Sequence, residues 1–234
     1  MELLENLRQE LKNNVDEKTL STGQHFFKEA IRTYGVSVPA VNKISKTFFR
    51  SLEKSGKPAV FALCDTLWES GYLEEAFVAC NWSYAVHTQY EPDDFRVFEK
   101  WIARYVTNWA TCDTLCNHTV GTFMEMYPGF VQELKTFALS PNRWMRRAAA
   151  VTLIIPARKG LFHDDIFDIA LLLLEDKDDL VQKGYGWLLK AAADADRQSV
   201  FEFVQSHKTK MPRTALRYAI EKMPAEFKKA AMAK

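Results

Sequence analysis

A segment that recurs every 36 residues constrains the fold of this chain more than any other feature. Its copies begin at Leu73, Trp109, Met145 and Val181. Helix pairs that repeat at such an interval are typical of α-solenoids, in which each pair buries its apolar face against its neighbours. The interval lies between the tetratricopeptide length of about 34 and the HEAT length of about 40–47, and the tetratricopeptide consensus residues are missing. We therefore predict an all-α, HEAT-like α-solenoid, a right-handed superhelix of antiparallel helix pairs, as one domain over residues 1–234.

The pattern is helical almost throughout. An apolar stripe at helical spacing runs from Leu3 to Leu11. A second helix is expected from Ser21, as its N-cap, to Gly35, a suitable C-terminal breaker. No run alternates with a period of two strongly enough to predict a strand. The further predicted helices cover residues 41–54, 58–70, 72–86, 93–105, 109–124, 128–139, 143–153, 164–174, 179–192, 197–207 and 212–221.

Composition and charge limit the class of protein. Charged residues make up 26% and hydrophobic residues 47%, and no apolar run approaches the roughly 20 residues that span a bilayer. The first residues, MELLENLRQELKNN, have no signal-peptide core, so we expect a cytoplasmic protein without membrane contact. The net charge of +1 conceals a balance of −4 over residues 1–140 and +5 over residues 141–234. The C-terminal part can therefore attract a polyanion.

The four cysteines fit a reducing compartment. Cys112, Cys116 and His118 raise the question of a zinc site. However, Cys80 and Cys116 occupy the same position of the 36-residue repeat, which predicts that both are small core residues. Structural zinc sites also bring their ligands in tight pairs, which this chain does not have. We expect neither a metal ion nor an organic cofactor.

Asp113 is the anomaly within the repeat. The equivalent position holds Phe77, Ala149 and Tyr185 in the other copies, so a carboxylate stands where the others have packing residues. Trp109 precedes it by four residues, which places an indole and an acid on one helix face. A partly desolvated carboxylate costs free energy unless it is hydrogen-bonded or paired, so it suggests a function. The structural alternative is a helix N-cap or an inter-helix hydrogen bond.

Aromatic and basic residues accompany this acid in the repeat segments. The combination suits a substrate that is anionic overall but develops positive charge at its reacting atom. DNA undergoing N-glycosidic cleavage is such a substrate, because its phosphates attract Arg and Lys while the deoxyribose becomes oxocarbenium-like. Asp113 could stabilise that cation and position the attacking water, and indole faces could add cation–π contacts. The residues in question are Trp109, Asp113, Trp144, Arg146, Arg147, Lys183, Tyr185 and Trp187.

Three motifs resemble those of the AlkD-type alkylpurine DNA glycosylases, a family of HEAT-like repeat proteins. They are TNWATCDTL, NRWMRRAAA and VQKGYGWLLK, in this order and at these separations, and the turn from Tyr34 to Pro39 also matches. The resemblance covers nearly the whole chain. It implies excision of N3-alkyladenine and N7-alkylguanine from double-stranded DNA, without drawing the base into a pocket.

The resemblance also implies roles for individual residues. Asp113 would be the catalytic residue, and Trp109 and Trp187 would pack against the sugar and backbone of the damaged nucleotide. Arg147 would contact the DNA backbone. A cationic leaving group needs little protonation, so one carboxylate suffices. The chain departs from the family at Asn108 and Thr111, where members often have a second Trp and an acid.

Several assignments have structural alternatives. Lys183 shares the repeat position of Arg147 and is expected to add a phosphate contact. Arg146 either contacts DNA or is paired with an acid. Tyr185 either contacts DNA or fills the core. For Trp144 we expect a position in the core or at a helix interface. Trp187 occupies a position at which packing alone is possible. The functional alternative is a non-catalytic HEAT-like module that binds bent or branched DNA or a protein partner. In either case we expect a monomer.

Overall fold

The computed structural model describes residues 2–233, without the side chains of residues 23–26. The described residues form helices joined by short turns, and none of them forms a strand, so the predicted all-α class is confirmed. The α-helices are α1 (Glu2–Asn13), α2 (Glu17–Phe26), α3 (Val38–Phe49), α4 (Gly56–Glu69), α5 (Leu73–Ala85), α6 (Asp94–Tyr105), α7 (Trp109–Thr114), α8 (Gly121–Met126), α9 (Val131–Ala138), α10 (Arg143–Val151), α11 (Ile154–Arg158), α12 (His163–Leu172), α13 (Asp179–Ala192), α14 (Arg197–His207), α15 (Arg213–Ala219) and α16 (Ala225–Met232).

The chain packs as two compact units, one ending at Leu115 and the other starting at Cys116. The first unit contains α1 to α7 and the second contains α8 to α16. The repeat segments are helical, as predicted, and they lie in α5 and α7 of the first unit and in α10 and α13 of the second. None of the helices within residues 2–233 combines the length and the apolar composition needed to cross a bilayer.

In the first unit, α5 is the central helix. It packs against α3, α4 and α7, and a connection of three residues makes α4 and α5 a helical hairpin. Because neighbours cover α5 on several sides, even its charged residues Glu74 and Glu75 are buried, together with Cys80 and Trp82. The buried Trp82 indole donates to the backbone oxygen of Ser45, which joins α5 to α3.

The helix predicted from Ser21 to Gly35 is wrong at both ends. Helix α2 begins after Asp16, whose side chain accepts from the backbone nitrogen of Thr19 at 2.8 Å, and it ends at Phe26. From Phe27 the chain is no longer helical, and Arg32 forms an isolated β-bridge with Tyr72. The extended segment is stabilised by contacts with α5, which lies about 40 residues later in the sequence. These contacts leave no local sequence pattern from which the end of α2 could be predicted.

In the second unit, α10, α13 and α15 pack side by side, with α9 against α10 and α12 against α13. Helix α13 approaches α15 very closely at Gly186, where a Cβ atom would lie 2.6 Å from the Cβ of Tyr218. The predicted bounds of α13 and α14 are confirmed without change. Two short helices, α11 and α16, lie outside the predicted set.

Candidate functional site

Helix α7 carries Trp109 as its first residue and Asp113 one turn later. The side chain of Asn108 accepts from the backbone nitrogen of Thr111 at 3.0 Å and so caps the helix. The hydroxyl of Thr111 in turn donates to the backbone oxygen of Asn108 at 3.3 Å. The two residues that depart from the family pattern therefore form a helix cap that fixes the position of Trp109.

Asp113 is half-buried, whereas Phe77, Ala149 and Tyr185 at the equivalent positions are buried. Since Asn108 caps α7 and Asp113 lies inside the helix, the N-cap alternative for Asp113 is wrong. A π-helical stretch from Leu115 to Val120 follows directly. Such stretches are rare and are frequent at functional sites, and no feature of the sequence predicted this one.

A cavity of about 410 Å³ lies beside Trp109 in the first unit. Its aromatic lining includes Trp109, Phe27 and Phe77, and the ring centroids of Phe27 and Trp109 are 5.6 Å apart. The sequence did not indicate Phe27 as a site residue, because its pattern predicts a helix through this position, whereas Phe27 follows the end of α2. The cavity is mainly apolar, and the polar groups of Thr33 and Glu74 in its lining are hydrogen-bonded to each other at 2.6 Å.

Two buried glutamates at the start of α5 hold the segment that forms one side of this cavity. Glu74 is 1% exposed and accepts hydrogen bonds from three consecutive backbone nitrogens, those of residues 34, 35 and 36, at 2.9–3.0 Å. Glu75 accepts from Arg8 and from the hydroxyl of Tyr34, the latter at 2.7 Å. The hydrogen bond with Glu75 raises the pKa of Arg8. The segment is thereby fixed by charge-assisted hydrogen bonds.

In the second unit, Arg147 of α10 is directed into the protein. The residue is 5% exposed, and its guanidinium Nη1 donates to the backbone oxygen of Leu180 at the start of α13. Its side chain crosses α13 at Gly184, where a Cβ atom would lie 3.5 Å from Cγ of Arg147. The resemblance implies that Arg147 contacts the DNA backbone, whereas in this structure its guanidinium is hydrogen-bonded within the protein.

Arg146 and Tyr185 are also hydrogen-bonded within the second unit. Arg146 donates to Asp176 at 2.6 Å and to the backbone oxygen of Ser140 at 3.0 Å. It is therefore paired with an acid, one of the two alternatives that the sequence left open. Tyr185 is fully buried, and its hydroxyl donates to the backbone oxygen of Leu174 at 2.9 Å. Burial raises the pKa of Tyr185. Its position is that of the core alternative, since the side chain does not reach the surface. Trp144 is buried, as expected.

Lys183 and Trp187 are half-buried and lie one turn apart on α13. Lys183 forms an ion pair of 3.2 Å with Asp179 on the same helix. Of the residues singled out in the sequence, Trp109 and Asp113 are therefore neighbours in the first unit, and Lys183 and Trp187 are neighbours in the second.

The cysteines of the chain contribute to packing. All four are buried, and the prediction that Cys80 and Cys116 are core residues is confirmed. Within residues 2–233, no group of three or more His, Cys, Asp or Glu side chains is arranged to hold a metal ion.

Comparison with known proteins identifies the family. The model of the DNA alkylation repair enzyme family matches residues 7–223. Among solved structures, a predicted DNA alkylation repair enzyme from Enterococcus faecalis has the same fold, with a TM-score of 0.81 and 14% sequence identity over 91% of this chain and 98% of the other. A search of curated proteins found no match. The family model covers most of the chain and supports an enzymatic role in repairing alkylation damage, and the chain belongs to the DNA alkylation repair enzyme family.

Proposed function

We propose that this protein is a DNA glycosylase that removes cationic alkylated purines, N3-alkyladenine and N7-alkylguanine, from double-stranded DNA. The observation that carries the proposal is the half-buried carboxylate of Asp113, one turn from Trp109, at a repeat position that otherwise holds buried packing residues. In a protein that only binds phosphates, a carboxylate at the interface would weaken binding through like-charge repulsion.

The proposed reaction is hydrolysis of the N-glycosidic bond. The bond between C1′ and the base nitrogen breaks, and its electron pair neutralises the cationic base, which leaves without protonation. Asp113 stabilises the positive charge that develops on the deoxyribose. The oxygen of a water molecule then bonds to C1′ while the Asp113 carboxylate accepts its proton. No step requires a metal ion or an organic cofactor.

The half-exposed residues are the proposed DNA contacts. Trp109 and Trp187 pack against the sugar and backbone near the lesion, and Lys183 contacts a phosphate. We assign Arg146, Arg147 and Tyr185 supporting roles, since each is hydrogen-bonded within the second unit. The burial of Arg147 argues against the phosphate contact that the resemblance implies for it.

We further propose that the base is not drawn into a pocket. The cavity beside Trp109 is mainly apolar, and Thr22 and Thr33 in its lining already donate to Lys18 and Glu74. A purine there would meet a mainly apolar lining, and each of its polar groups that stays without a partner would cost about 1–3 kcal/mol. A cytoplasmic location and a monomeric state remain our expectations, and four buried free cysteines suit a reducing compartment.

The test is base release from methylated duplex DNA under single-turnover conditions, by the wild type and by Asp113→Asn. Loss of one group that stabilises transition-state charge typically lowers the rate about 10²–10³-fold, so we expect at least a 100-fold decrease. DNA affinity should be equal to or higher than that of the wild type, because the substitution removes a charge that repels phosphates. Asp168→Asn is the matched control, because this carboxylate on α12 has an exposed side chain and undergoes the same charge change.

Two results would contradict the proposal. Full base release by Asp113→Asn would remove Asp113 from the reaction. Salt-dependent DNA binding by a wild-type protein that releases no base would instead indicate a non-catalytic DNA-binding module.

A further inference from the structure

Three consecutive backbone N–H groups converge on one carboxylate at the start of α5. The nitrogens of residues 34, 35 and 36 donate to Glu74 at 2.9–3.0 Å, and Gly35 has a left-handed conformation with φ of +87°. Successive N–H groups around such a residue form a concavity that binds anions. Here the bound anion is a side chain of the same chain, so the concavity holds residues 34–36 on α5.

The carboxylate at this attachment is buried and surrounded by donors. The hydroxyl of Thr33 adds a fourth hydrogen bond to Glu74 at 2.6 Å, and Glu74 is almost inaccessible to solvent. A buried carboxylate costs free energy unless hydrogen bonds satisfy it, so Glu74 and its four donors stabilise each other's positions. Next to them, the backbone nitrogen of Leu73 donates to the oxygen of Arg32 at 2.8 Å. Residues 32–36 are therefore fixed to the first turn of α5.

The fixed segment and Trp109 line the same cavity. Thr33 and Val36 of the segment, Phe77 of α5 and Trp109 of α7 all belong to its lining. Phe27 precedes the segment, and its ring centroid lies 5.6 Å from that of Trp109, with the ring planes inclined by 30°. The position of the Phe27 ring, and with it the packing around the Trp109 indole, therefore depends on how the segment is attached to α5.

Trp109 is in turn a neighbour of the proposed catalytic carboxylate. It is the first residue of α7, and Asp113 lies one turn later. In the proposed function the indole packs against the sugar on which Asp113 acts, so the orientation of the indole sets the distance between C1′ and the carboxylate. A misplacement of about 1 Å, caused by a change remote from the chemistry, can lower a rate about 10²-fold. Packing that orients Trp109 therefore affects the rate of base release.

We infer that Glu74 is a positioning residue for base release. By holding residues 33–36 on α5, it fixes the aromatic packing that orients Trp109 beside Asp113. The inference rests on the proposed function in taking base release as the reaction. Glu74 is buried and acts through Trp109, so it is not a catalytic residue and does not touch DNA.

The test is E74Q, measured by single-turnover base release at saturating enzyme and by binding to an unmodified duplex. The amide keeps the shape of the side chain but replaces one acceptor by an NH₂ donor, which faces the donors of residues 33–36. We expect the rate to fall about 10- to 100-fold, because a shift of about 1 Å can cost about 10²-fold. The DNA affinity should stay near that of the wild type, because phosphate contacts dominate it.

The matched control is D94N. Asp94 of α6 is also buried, and it accepts from the backbone nitrogen of Glu91 at 2.7 Å and from Lys57 at 2.8 Å. The substitution makes the same charge change within the first unit, at a residue that lies outside the lining of the cavity. Base release by D94N should therefore stay near the wild-type rate.

A second readout does not depend on activity. A nuclear Overhauser effect between the rings of Phe27 and Trp109, assigned with F27L and W109F, reports their contact in the free protein. It should be present in the wild type and in D94N and should weaken in E74Q. If E74Q does not fold, T33V replaces it, because T33V keeps the carboxylate and removes one of its four donors. T33V should change both readouts in the same direction as E74Q, but by less.

A lower rate and a weakened ring contact in E74Q, with neither change in D94N, is the expected result. Equal rate losses in E74Q and D94N would overturn the inference, since they would reflect lost stability alone. A folded E74Q protein that keeps the wild-type rate or the ring contact would also overturn it. If the wild type releases no base, the proposed function fails, and the ring contact alone then decides whether Glu74 positions Trp109.

Discussion

Arg147 and Lys183 occupy the same position in successive repeats but have opposite surroundings. The Arg147 guanidinium is buried and donates to the backbone oxygen of Leu180, whereas Lys183 is half-buried and pairs with Asp179 on its own helix. The difference arises from the acceptor that each cation reaches, which is the Leu180 backbone oxygen of the next repeat helix for Arg147 and the Asp179 carboxylate of its own helix for Lys183. At the residue scale, the two cations should therefore have different energetic roles.

Replacement of Arg147 by Ala should lower the free energy of unfolding by about 1.5–3 kcal/mol, the range for a hydrogen bond that involves a charged group. Lys183→Ala should lower it by about 0.5 kcal/mol or less, because exposed ion pairs at i, i+4 contribute about 0.3–0.5 kcal/mol. Urea unfolding followed by circular dichroism measures both values. Equal effects would show that Arg147 is not held as the structure describes. DNA affinity should decrease more in Lys183→Ala.

At the element scale, the two glycines of α13 have different neighbours. A Cβ atom at Gly186 would lie 2.6 Å from the Cβ of Tyr218 and 2.7 Å from the backbone oxygen of Ala215. A Cβ atom at Gly184 would lie 3.5 Å or more from its neighbours, which is ordinary contact. Only Gly186 therefore determines how closely α13 and α15 pack, and it does so directly beside Trp187.

Gly186→Ala should destabilise the protein by about 1–3 kcal/mol, the usual cost of overpacking, because α13 and α15 must separate. Gly184→Ala removes a flexible residue from a helix interior and should be neutral or stabilising by up to about 1 kcal/mol. Thermal unfolding of both variants, made in parallel, compares the two sites. A stabilised Gly186→Ala protein would contradict the close approach of the helices.

Helices were predicted correctly from the sequence where local residue patterns determine them. They were predicted wrongly where contacts between distant residues determine them. The 36-residue register placed α5, α7, α10 and α13 correctly, because each helix repeats the same apolar spacing. It could not predict where α2 ends, since the following segment is fixed by Glu74 about 40 residues later. Register also gave Arg147 and Lys183 the same role, because it cannot show which acceptor a side chain reaches, and Arg147 reaches the Leu180 backbone oxygen of a neighbouring helix. The partial burial of Asp113 was predictable, because buried residues occupy the equivalent position in the other copies of the repeat.

At the scale of the whole molecule, the chemistry and the phosphate contacts are assigned to different units. Asp113 and Trp109 belong to the first unit, whereas Lys183 and Trp187 belong to the second. The formal net charge is −3 over residues 1–115 and +4 over residues 116–234. The carboxylate that we propose to stabilise a developing cation thus lies in the more acidic unit.

Each unit also contains a tyrosine whose ionisation should be coupled to unfolding. Burial raises the pKa of Tyr34 in the first unit, reinforced by its hydrogen bond to Glu75, and burial raises the pKa of Tyr185 in the second. The unfolded chain releases these protons near pH 10, before the folded protein does. Stability is therefore complete below about pH 10 and decreases as the pH rises towards the folded-state values, by about 1.4 kcal/mol per pH unit for each group.

In Tyr185→Phe the free energy of unfolding should fall less steeply above pH 10, by about 1.4 kcal/mol per pH unit, because one ionising group is removed. Tyr34→Phe should have the same effect. The loss of the hydrogen bond to Leu174 lowers the stability of Tyr185→Phe equally at every pH below 10, so the slope above pH 10 is the quantity to compare. Urea unfolding between pH 8 and pH 11 measures it, with Tyr84→Phe as the control because Tyr84 is 38% exposed. If Tyr185→Phe loses stability with alkali as steeply as the wild type, then Tyr185 ionises in the folded protein and its hydroxyl is not buried.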